Sequence, residues 1–369
     1  MFLYVQPGGH RVSSCSRASE TTKMNTESSD KYVGILVGGP GGEAGVSLCS
    51  GRFVHSFFPK EFANAFFIYM GADHKISLHR DDSFMEGEGN LLQAKKGLSS
   101  FPGGALPGQL ENFGIPLDQL RGIFPLIHGT FCEDGKFLAY LEVLGIPFAG
   151  CSSVTSMHCF DKVLTKLSLL SSGVDVVPFI WGISPEMLLG HPFSPQPVFV
   201  KPARQGSSLG VKRATGEDDY KSALEYAFEF DTKVLVEPEI PGRELEVALL
   251  ETPDGWVVSQ AGEIDSGKSG FYSFEAKYET QSDAKTSIAE LSAPLEMELQ
   301  EQALEAAALL DLRGFARIDF FLDANEKLWL NEINTLPGFT GISMFPYLME
   351  DSGFEPAELI RVILEGMES

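Results

Sequence analysis

The stretch of the sequence with the most chemical potential is residues 314–338, GFARIDFFLDANEKLWLNEINTLPG. It reads as two strands joined by a turn, and strand alternation puts Arg317 and Asp319 on one face and Glu332 and Asn334 on one face. A tight hairpin would set Asp319 opposite Glu332. Two carboxylates and an amide oxygen suit magnesium, with nucleotide phosphates as further ligands, and Arg317 could neutralise developing phosphoryl charge.

A solvated polar face is the alternative interpretation of this hairpin. Alternation also puts Leu328 and Leu330 on the face of Glu332, which indicates that this face is buried. Acids inside a protein need an ion or another partner. The hairpin therefore favours a cation site over a solvent-exposed polar face.

Two lysines are candidates for binding phosphate. Lys201 ends the β-rich run of FVKPARQGSSL, and Gly206, Ser207 and Ser208 after it offer backbone and hydroxyl donors at close approach. Lys162 could supply a second positive charge. Taken singly, either lysine is as often an exposed surface charge.

Two acids follow another strand, in VLVEPEIPGRELE. Glu237 ends that strand, and Glu244 lies a few residues later. In a nucleotide pocket such carboxylates accept hydrogen bonds from an adenine amino group and from ribose hydroxyls. Without a pocket, an acid at a strand end is usually solvated.

Two glycine patterns suggest other nucleotide-binding proteins. Residues 262–269, GEIDSGKS, satisfy the Walker A spacing of a P-loop NTPase, but GFYSF follows them where a helix should open. The loop at 39–42 with Ala44 loosely matches the dinucleotide fingerprint, with Glu61 at about the expected distance. A proline inside that turn, and the position of Glu61 outside a strand, weaken the match.

The surrounding elements predict an α/β protein. A strand at 32–37, a glycine cluster and a helix at 46–58 open the chain, and apolar runs at 65–70 and 122–126 predict further buried strands of a parallel α/β domain. A second unit begins near Cys151, where a helix containing Asp161, Lys162 and Lys166 leads into strands at 198–201 and 234–237. The last unit has strands at 246–250 and 255–261 and a helix at 294–312.

Composition narrows the partners. A formal charge of −23 over 369 residues disfavours nucleic acid and anionic membrane surfaces, and no apolar run approaches the roughly 20 residues of a membrane span. Five cysteines without paired metal spacing suit a reducing compartment, so we expect a cytoplasmic enzyme acting on small molecules. Residues 1–31 are expected to be a disordered tail or a miscalled start before Met24, with a transit peptide as a minor alternative.

Taken in order over roughly residues 32–365, these blocks resemble the D-alanine-D-alanine ligase family of ATP-grasp enzymes. The matching segments are VGGPGGEAGVSLCSG, FPLIHGTFCEDGKFLAYLEVLGIPFAG, DKVLTK, VKPARQGSSLGV, FYSFEAKY, GFARIDF and NEINTLPGFTGIS. The sequence departs from the family pattern at Gln205, Ile288 and Glu246, where an acid, a proline and a small hydroxyl residue are common. None of these three residues is among those assigned to chemistry.

The resemblance implies a three-domain ATP-grasp fold with an N-terminal parallel α/β domain. The implied domains are residues 32–150, an ATP-grasp small subdomain at 151–238, and a C-terminal subdomain with a lid loop at 239–369. ATP would bind between the last two domains. Residues 271–287 would form the lid that protects an easily hydrolysed acyl phosphate from water.

The resemblance also assigns roles residue by residue. ATP would be bound by Lys162, Lys201, Glu237 and Glu244, and two Mg²⁺ or Mn²⁺ ions by Asp319, Glu332 and Asn334. Glu43 would accept the ammonium group of the first D-alanine, and Ser343 would bind the carboxylate of the second substrate. Ser207 and Tyr278 would form a hydrogen-bonded link that closes the site, with His128 nearby. Lys277 would contact the transferred phosphate, and Arg317 and the Gly338 N–H would stabilise the oxyanion of the tetrahedral intermediate.

The implied activity is ATP-dependent formation of D-alanyl-D-alanine for peptidoglycan precursor synthesis, by a homodimer. EAKY, with Lys277 beside Tyr278, resembles the dipeptide-forming ligases rather than those that use D-lactate or D-serine. Three alternatives stay open: another ATP-grasp carboxylate-amine ligase, a P-loop NTPase, and a nucleotide-binding regulatory protein without turnover.

Overall fold

The computed structural model describes residues 31–94, 106–189, 197–265 and 285–367. Its strands are β1 Tyr32–Gly38, β2 Asn64–Met70, β3 Ile76–His79, β4 Met85–Glu86, β5 Gln93–Ala94, β6 Leu120–Pro125, β7 Ile180–Gly182, β8 Val198–Pro202, β9 Lys212–Ala214, β10 Val234–Pro238, β11 Gly242–Thr252, β12 Gly255–Val258, β13 Gly262–Asp265, β14 Lys285–Ile288, β15 Phe315–Asp323 and β16 Leu328–Asn334. Its α-helices are α1 Ala44–Ser56, α2 Leu106–Asn112, α3 Lys136–Leu144, α4 Ser153–Phe160, α5 Lys162–Ser172, α6 Pro185–Leu189, α7 Glu217–Phe228, α8 Ala293–Leu309, α9 Met344–Asp351 and α10 Pro356–Gly366.

The first sheet has the order β3-β2-β1-β6, and β1 is parallel to both of its neighbours. This confirms the predicted parallel α/β start, with the one difference that β3 pairs antiparallel to β2 at the edge. At the end of β1, Gly38 has a φ of +95°, and a Cβ there would lie 2.3 Å from the Met70 carbonyl oxygen. Only glycine fits this turn, which carries the chain from β1 towards α1.

The second sheet, β7-β10-β8-β9, is antiparallel, and α7 packs on it. The helix predicted around residues 161–166 is present as α5, with Lys162 and Lys166 inside it and Asp161 as its N-cap residue, and α4 ends just before it. The Asp161 carboxylate accepts hydrogen bonds from the N–H groups of Val163 and Leu164, both at 3.2 Å. This N-cap starts α5 at Lys162 and thereby directs that lysine.

The third sheet is antiparallel, in the order β14-β13-β11-β15-β16 with β12 beside β11. Helix α8 covers it with Leu299, Ala303 and Ala306, which are fully buried as the helical spacing predicted. Two predicted boundaries are wrong here. Residues 255–261 do not form one strand, and residues 285–287 of the predicted lid lie in β14.

A β-bulge corrects the predicted geometry of the β15–β16 hairpin. Asp319 lies opposite Glu332 as expected, but Phe320 lies opposite Leu330, so Asn331 is an extra residue on β16. Leu328 and Leu330 are buried in the core with Phe320, on the face away from Glu332. The shared face inferred from strict alternation is therefore wrong, because the bulge reverses the side-chain direction between Leu330 and Glu332.

The core of the first sheet extends into the C-terminal part of the chain. The rings of Phe124, Phe315, Phe339 and Phe345 pack with centroids 5.5 to 6.1 Å apart. This cluster fastens the loop after β16 onto the N-terminal sheet. Among the helices of the described ranges, none has the length and apolar character required to cross a membrane.

Candidate active site

A cleft of about 380 Å³ lies between the two antiparallel sheets. Its lining includes all four predicted ATP-binding residues together with Ser207 and Glu332, namely Lys162, Lys201, Ser207, Glu237, Glu244 and Glu332. Val177, Phe199, Ile264 and Phe321 add apolar walls. Residues that are far apart in the sequence thus meet in one cavity that offers charged groups and flat apolar surface, which suits a nucleotide.

Glu237 is held between two lysines. Its carboxylate lies 2.9 Å from Lys166 Nζ and 2.5 Å from Lys201 Nζ, and its side chain is 2% exposed. Burial alone would raise the pKa of Glu237, but the two lysines outweigh it and hold the pKa below its usual value. Burial lowers the pKa of Lys166 despite the attraction of Glu237. The two lysines therefore keep Glu237 ionised and hold its carboxylate in a fixed position in the cleft.

Lys162 joins the cleft to the acidic hairpin. Its ammonium group donates to the Gln205 carbonyl oxygen at 2.7 Å and lies 3.1 Å from the Glu332 carboxylate. Lys201 also donates to the bulged Asn331 side chain at 3.4 Å. The bulge therefore turns Asn331, as well as Glu332, towards the cleft.

Three carboxylates form a row across three adjacent strands. Glu246 of β11 lies opposite Asp319 of β15, which lies opposite Glu332 of β16. Arg317 donates to both Asp319 oxygens at 2.7 and 2.8 Å and lies 3.1 Å from Glu246. Burial opposes the charge of Arg317, yet Asp319 and Glu246 raise its pKa well above the usual value. The guanidinium is permanently charged and fixed in direction.

The donor set fits a divalent cation of the hard type. Asp319 and Glu332 face each other across the hairpin, and the Asn334 amide donates to Asp319 at 3.1 Å, so two carboxylates and one amide lie side by side. Carboxylate and amide oxygens are the ligands that magnesium takes. In this structure the negative charges of Glu332 and Asp319 are balanced by the neighbouring Lys162 ammonium and Arg317 guanidinium groups, respectively.

Glu43 and Ser207 connect the N-terminal domain to the cleft. The Ser207 hydroxyl donates a hydrogen bond to the Glu43 carboxylate. Gly129 has a φ of +69°, and a Cβ there would lie 2.5 Å from the second Glu43 oxygen. The predicted partners Glu43 and Ser207 thus meet, and a glycine gives them room.

His128 is buried among protein groups. One ring nitrogen, Nδ1, lies 3.1 Å from the Leu336 carbonyl oxygen, and the other, Nε2, lies 3.0 Å from the Ser50 hydroxyl. Burial lowers its pKa, Glu43 opposes this shift, and Arg317 adds to it. Both nitrogens are bonded to the protein in this structure, which favours a supporting role over direct contact with substrate.

The loop after β16 carries the last two predicted site residues. A Cβ on Gly338 would lie 2.9 Å from the Ser343 hydroxyl oxygen, so the two residues are in close contact. The Thr340 N–H donates to that same oxygen at 3.0 Å. Ser343 is also the N-cap residue of α9, and its hydroxyl is held near the helix N-terminus, where a carboxylate is favoured.

Several predicted residues lie outside the described ranges. These are Lys277 and Tyr278, the lid over 271–284, and Lys268 of the Walker-like pattern. The first four residues of that pattern, Gly262–Asp265, form β13, which pairs on both sides in the antiparallel sheet. A P-loop needs its first glycine to leave the strand, so these residues do not form one.

Sequence reasoning missed three residues around the site. Lys166 appeared only as a helix residue, although its i,i+4 spacing from Lys162 could have placed both on one helix face. The position of Asn331 at the cleft depends on a β-bulge, which no local sequence pattern predicts. Glu246 was noted only as a departure from the family, and its contact with Arg317 needs the β11–β15 register.

Comparisons with known proteins agree on one family. Residues 32–151 match the family model described as D-ala D-ala ligase N-terminus, and residues 193–365 match D-ala D-ala ligase C-terminus. The chain is 37% identical to D-alanine-D-alanine ligase of Oceanobacillus iheyensis, covering 91% of this chain and 94% of that protein. It is 36% identical to D-alanine-D-alanine ligase A of Escherichia coli K12, covering 90% and 94%.

Solved structures give the same result. D-alanyl-alanine synthetase A from Vibrio cholerae superposes with a TM-score of 0.75 at 29% identity, covering 92% of this chain and 99% of that one. The D-alanine-D-alanine ligase from Coxiella burnetii superposes with a TM-score of 0.72 at 27% identity, covering 92% and 94%. The similarity therefore extends over nearly the whole of each protein.

Proposed function

This chain belongs to the D-alanine-D-alanine ligase family, and we propose that it joins two D-alanine molecules into D-alanyl-D-alanine in the cleft described above, at the expense of ATP. The observation that carries the proposal is the meeting of Lys162, Lys201, Glu237 and Glu244 in one cavity beside Glu332. Membership of this family supports ATP and a divalent metal as requirements. The part taken by each residue, and the number of ions, are our proposals.

The chemistry starts from the poor reactivity of a carboxylate. An oxygen of the first D-alanine carboxylate attacks the γ-phosphorus of ATP, ADP leaves, and an acyl phosphate forms. Lys162 and Lys201 hold phosphate oxygens, Glu237 and Glu244 bind the adenosine part, and Lys277 contacts the transferred phosphate. Asp319, Glu332 and Asn334 would hold two Mg²⁺ or Mn²⁺ ions, which would neutralise phosphate charge.

The second step forms the amide. The neutral amine of the second D-alanine attacks the acyl carbon and a tetrahedral oxyanion forms. Its collapse breaks the C–O bond to phosphate, which leaves and takes up the proton lost by the amine nitrogen. Arg317 and the Gly338 N–H stabilise that oxyanion, because donors aimed in advance at developing charge lower the barrier most. Glu43 holds the first ammonium group, and Ser343 holds the second carboxylate. Ser207, bonded to Glu43, joins this pocket to Tyr278 of the lid.

Four proposals about domains, assembly, location and role accompany the activity. The domain boundaries are residues 32–150, 151–238 and 239–369, and the three main sheets fall at 32–125, 180–238 and 242–334, in keeping with them. From the family resemblance we also propose a homodimer, a cytoplasmic location and a role in peptidoglycan precursor synthesis. Sedimentation of the purified chain tests the homodimer.

One assay tests the proposed function. ADP release is measured at neutral pH with D-alanine, L-alanine, D-serine and D-lactate as single substrates and as pairs with D-alanine, and each product is identified by mass. D-Alanine alone should give one ADP for each D-alanyl-D-alanine, with D-lactate a poor second substrate. A preference for D-lactate or D-serine would assign the chain to another ligase type, and no ADP release with any of them would remove the proposal.

A further inference from the structure

Ser50 of α1 lies at the centre of a buried series of hydrogen bonds that joins α1, His128 and the loop after β16. None of the motif assignments includes Ser50. Its hydroxyl oxygen accepts from the Phe339 N–H at 3.3 Å and lies 3.0 Å from His128 Nε2. His128 Nδ1 in turn lies 3.1 Å from the Leu336 carbonyl oxygen. Leu336 and Phe339 are the two residues that flank Pro337 and Gly338.

The direction of every hydrogen bond in this series is determined. A carbonyl oxygen can only accept, so His128 Nδ1 carries the proton and donates to Leu336. The ring is neutral, which leaves Nε2 as an acceptor, so the Ser50 hydroxyl must donate to it. The remaining lone pairs of Ser50 accept from Phe339. For the neutral ring, which burial favours by lowering the pKa of His128, no other arrangement of protons satisfies all three contacts.

The series of hydrogen bonds is shielded from water. Ser50, Phe339, Leu336 and His128 have relative exposures of 0%, 0%, 2% and 5%. In such surroundings water cannot replace a lost partner, so each hydrogen bond is needed to satisfy a buried polar group. Apolar packing of the Phe339 ring anchors the loop as a whole. The hydrogen bonds at Leu336 and Phe339 fix the direction of the loop backbone at both ends of the Leu336–Phe339 segment.

We propose that Ser50 is a positioning residue that, through His128 and the Phe339 N–H, aims the Gly338 N–H at the oxyanion of the amide-forming step. The proposal rests on the proposed function, which gives Gly338 that task. Hydrogen bonds at Leu336 and at Phe339 hold the two ends of a four-residue segment, so removing them lets the N–H between them rotate. The donor then remains present but points away from the developing charge.

The mechanism gives the test a specific readout. A misdirected oxyanion donor slows attack by the amine but leaves phosphoryl transfer from ATP to the carboxylate in place. The acyl phosphate then has time to react with water at phosphorus, where the P–O bond to the acyl group breaks without an acyl oxyanion, and this returns D-alanine and releases phosphate. More than one ADP is therefore released for each dipeptide, and a general loss of folded enzyme cannot change that ratio.

The experiment compares Ser50→Ala with Ser77→Ala. Ser77 is a matched control, because it is 3% exposed and its hydroxyl bonds His79 Nε2 at 2.9 Å on the edge strand β3. Ser50→Ala should lower kcat about ten- to hundredfold, less than the 10²- to 10³-fold loss of an oxyanion donor outright. KM for ATP should change less than about twofold, and ADP per dipeptide should rise above one. Ser77→Ala should keep the wild-type kcat and ratio.

The outcomes separate the two proposals. An inactive wild-type enzyme would remove the proposed function. An active wild type with Ser50→Ala matching Ser77→Ala in kcat and in ADP per dipeptide would overturn the role of Ser50 and leave the function standing. If Ser50→Ala does not fold, Ser50→Cys replaces it, since the thiol is a weaker donor and acceptor of similar size. A Ser50→Cys enzyme with wild-type kcat and ratio would equally overturn the proposal.

Discussion

Glu246 and Arg317 lie on adjacent strands, and their charged groups are 3.1 Å apart within a row of three carboxylates. Both side chains are largely buried, at 6% and 15% exposed. Asp319 holds the same guanidinium from the other side and is also a proposed metal ligand. If Asp319 binds a cation as proposed, Glu246 is the carboxylate that would continue to hold Arg317.

Glu246→Gln should lower kcat about tenfold, because the amide keeps the shape but loses the charge that directs Arg317 towards the oxyanion. KM for ATP should stay within about twofold. Glu263→Gln is the matched control, since it breaks a more exposed Arg243–Glu263 pair with a 2.7 Å contact in the same sheet. Equal kcat values for the two variants, measured by ADP release, would refute this role of Glu246.

Glu332→Gln should reduce ligase activity at least about a hundredfold, since it removes a proposed metal carboxylate needed for charge neutralisation in phosphoryl transfer. The variant should fold, because the neighbouring Lys162 retains its hydrogen bond to Gln205. Glu326→Gln, at the exposed turn of the same hairpin, should behave as wild type. Activity is titrated against magnesium in all three proteins. Normal magnesium dependence in an active Glu332→Gln enzyme would contradict the metal assignment.

Lys201→Ala and Lys268→Ala should have opposite effects. Lys201 lines the cleft and contacts Glu237, so its loss should raise KM for ATP at least about tenfold. Lys268 lies outside the described residues and should be dispensable, whereas a P-loop enzyme could not lose it. The reverse pair of results in ATP saturation curves would require the assignment of the nucleotide site to be abandoned.

Lys166→Met should weaken ATP binding and lower the free energy of unfolding. Glu237 would keep only Lys201, so the loss of stability should be below the roughly 3–5 kcal/mol seen when a buried pair loses one partner entirely. Lys221→Met, which breaks the exposed i,i+4 pair with Glu217, serves as control. Urea unfolding with and without ATP measures both effects. An unchanged ATP affinity in Lys166→Met would show that Lys201 alone is sufficient to hold the Glu237 carboxylate in position.

His128 should remain neutral in the folded protein below pH 6.5. Its folded pKa lies below the unfolded value of about 6.5, so the unfolded chain binds more protons as the pH falls. The contribution of His128 to stability is therefore complete above about pH 6.5 and is lost as the pH falls from there towards the folded pKa. Imidazole proton signals, assigned with His128→Gln, report the titration directly. A midpoint at or above 6.5 would contradict the buried neutral ring.

Local patterns were sufficient for the elements and for many of the site residues. Continuous apolar runs predicted β1, β2 and β6, and helical spacing predicted α8, because burial constrains the residue types within a segment whatever its partners are. The order of motifs such as DKVLTK and NEINTLPG indicated the family, since each motif is a contiguous segment. The lack of a helical pattern after GEIDSGKS in the sequence argued against a P-loop, and the pairing of its first four residues on both sides of β13 agrees with that prediction.

Tertiary structure alone decided which groups touch. The bulge at Asn331 reverses the direction of side chains within one strand, so counting residues put Leu330 on the wrong face. The contact between Glu246 and Arg317 depends on the register of two strands separated by a long stretch of chain. Ser50 meets Phe339 across a sequence separation of 289 residues. Periodicity describes how a segment faces its surroundings, whereas these contacts arise from the packing of distant segments, which no local pattern contains.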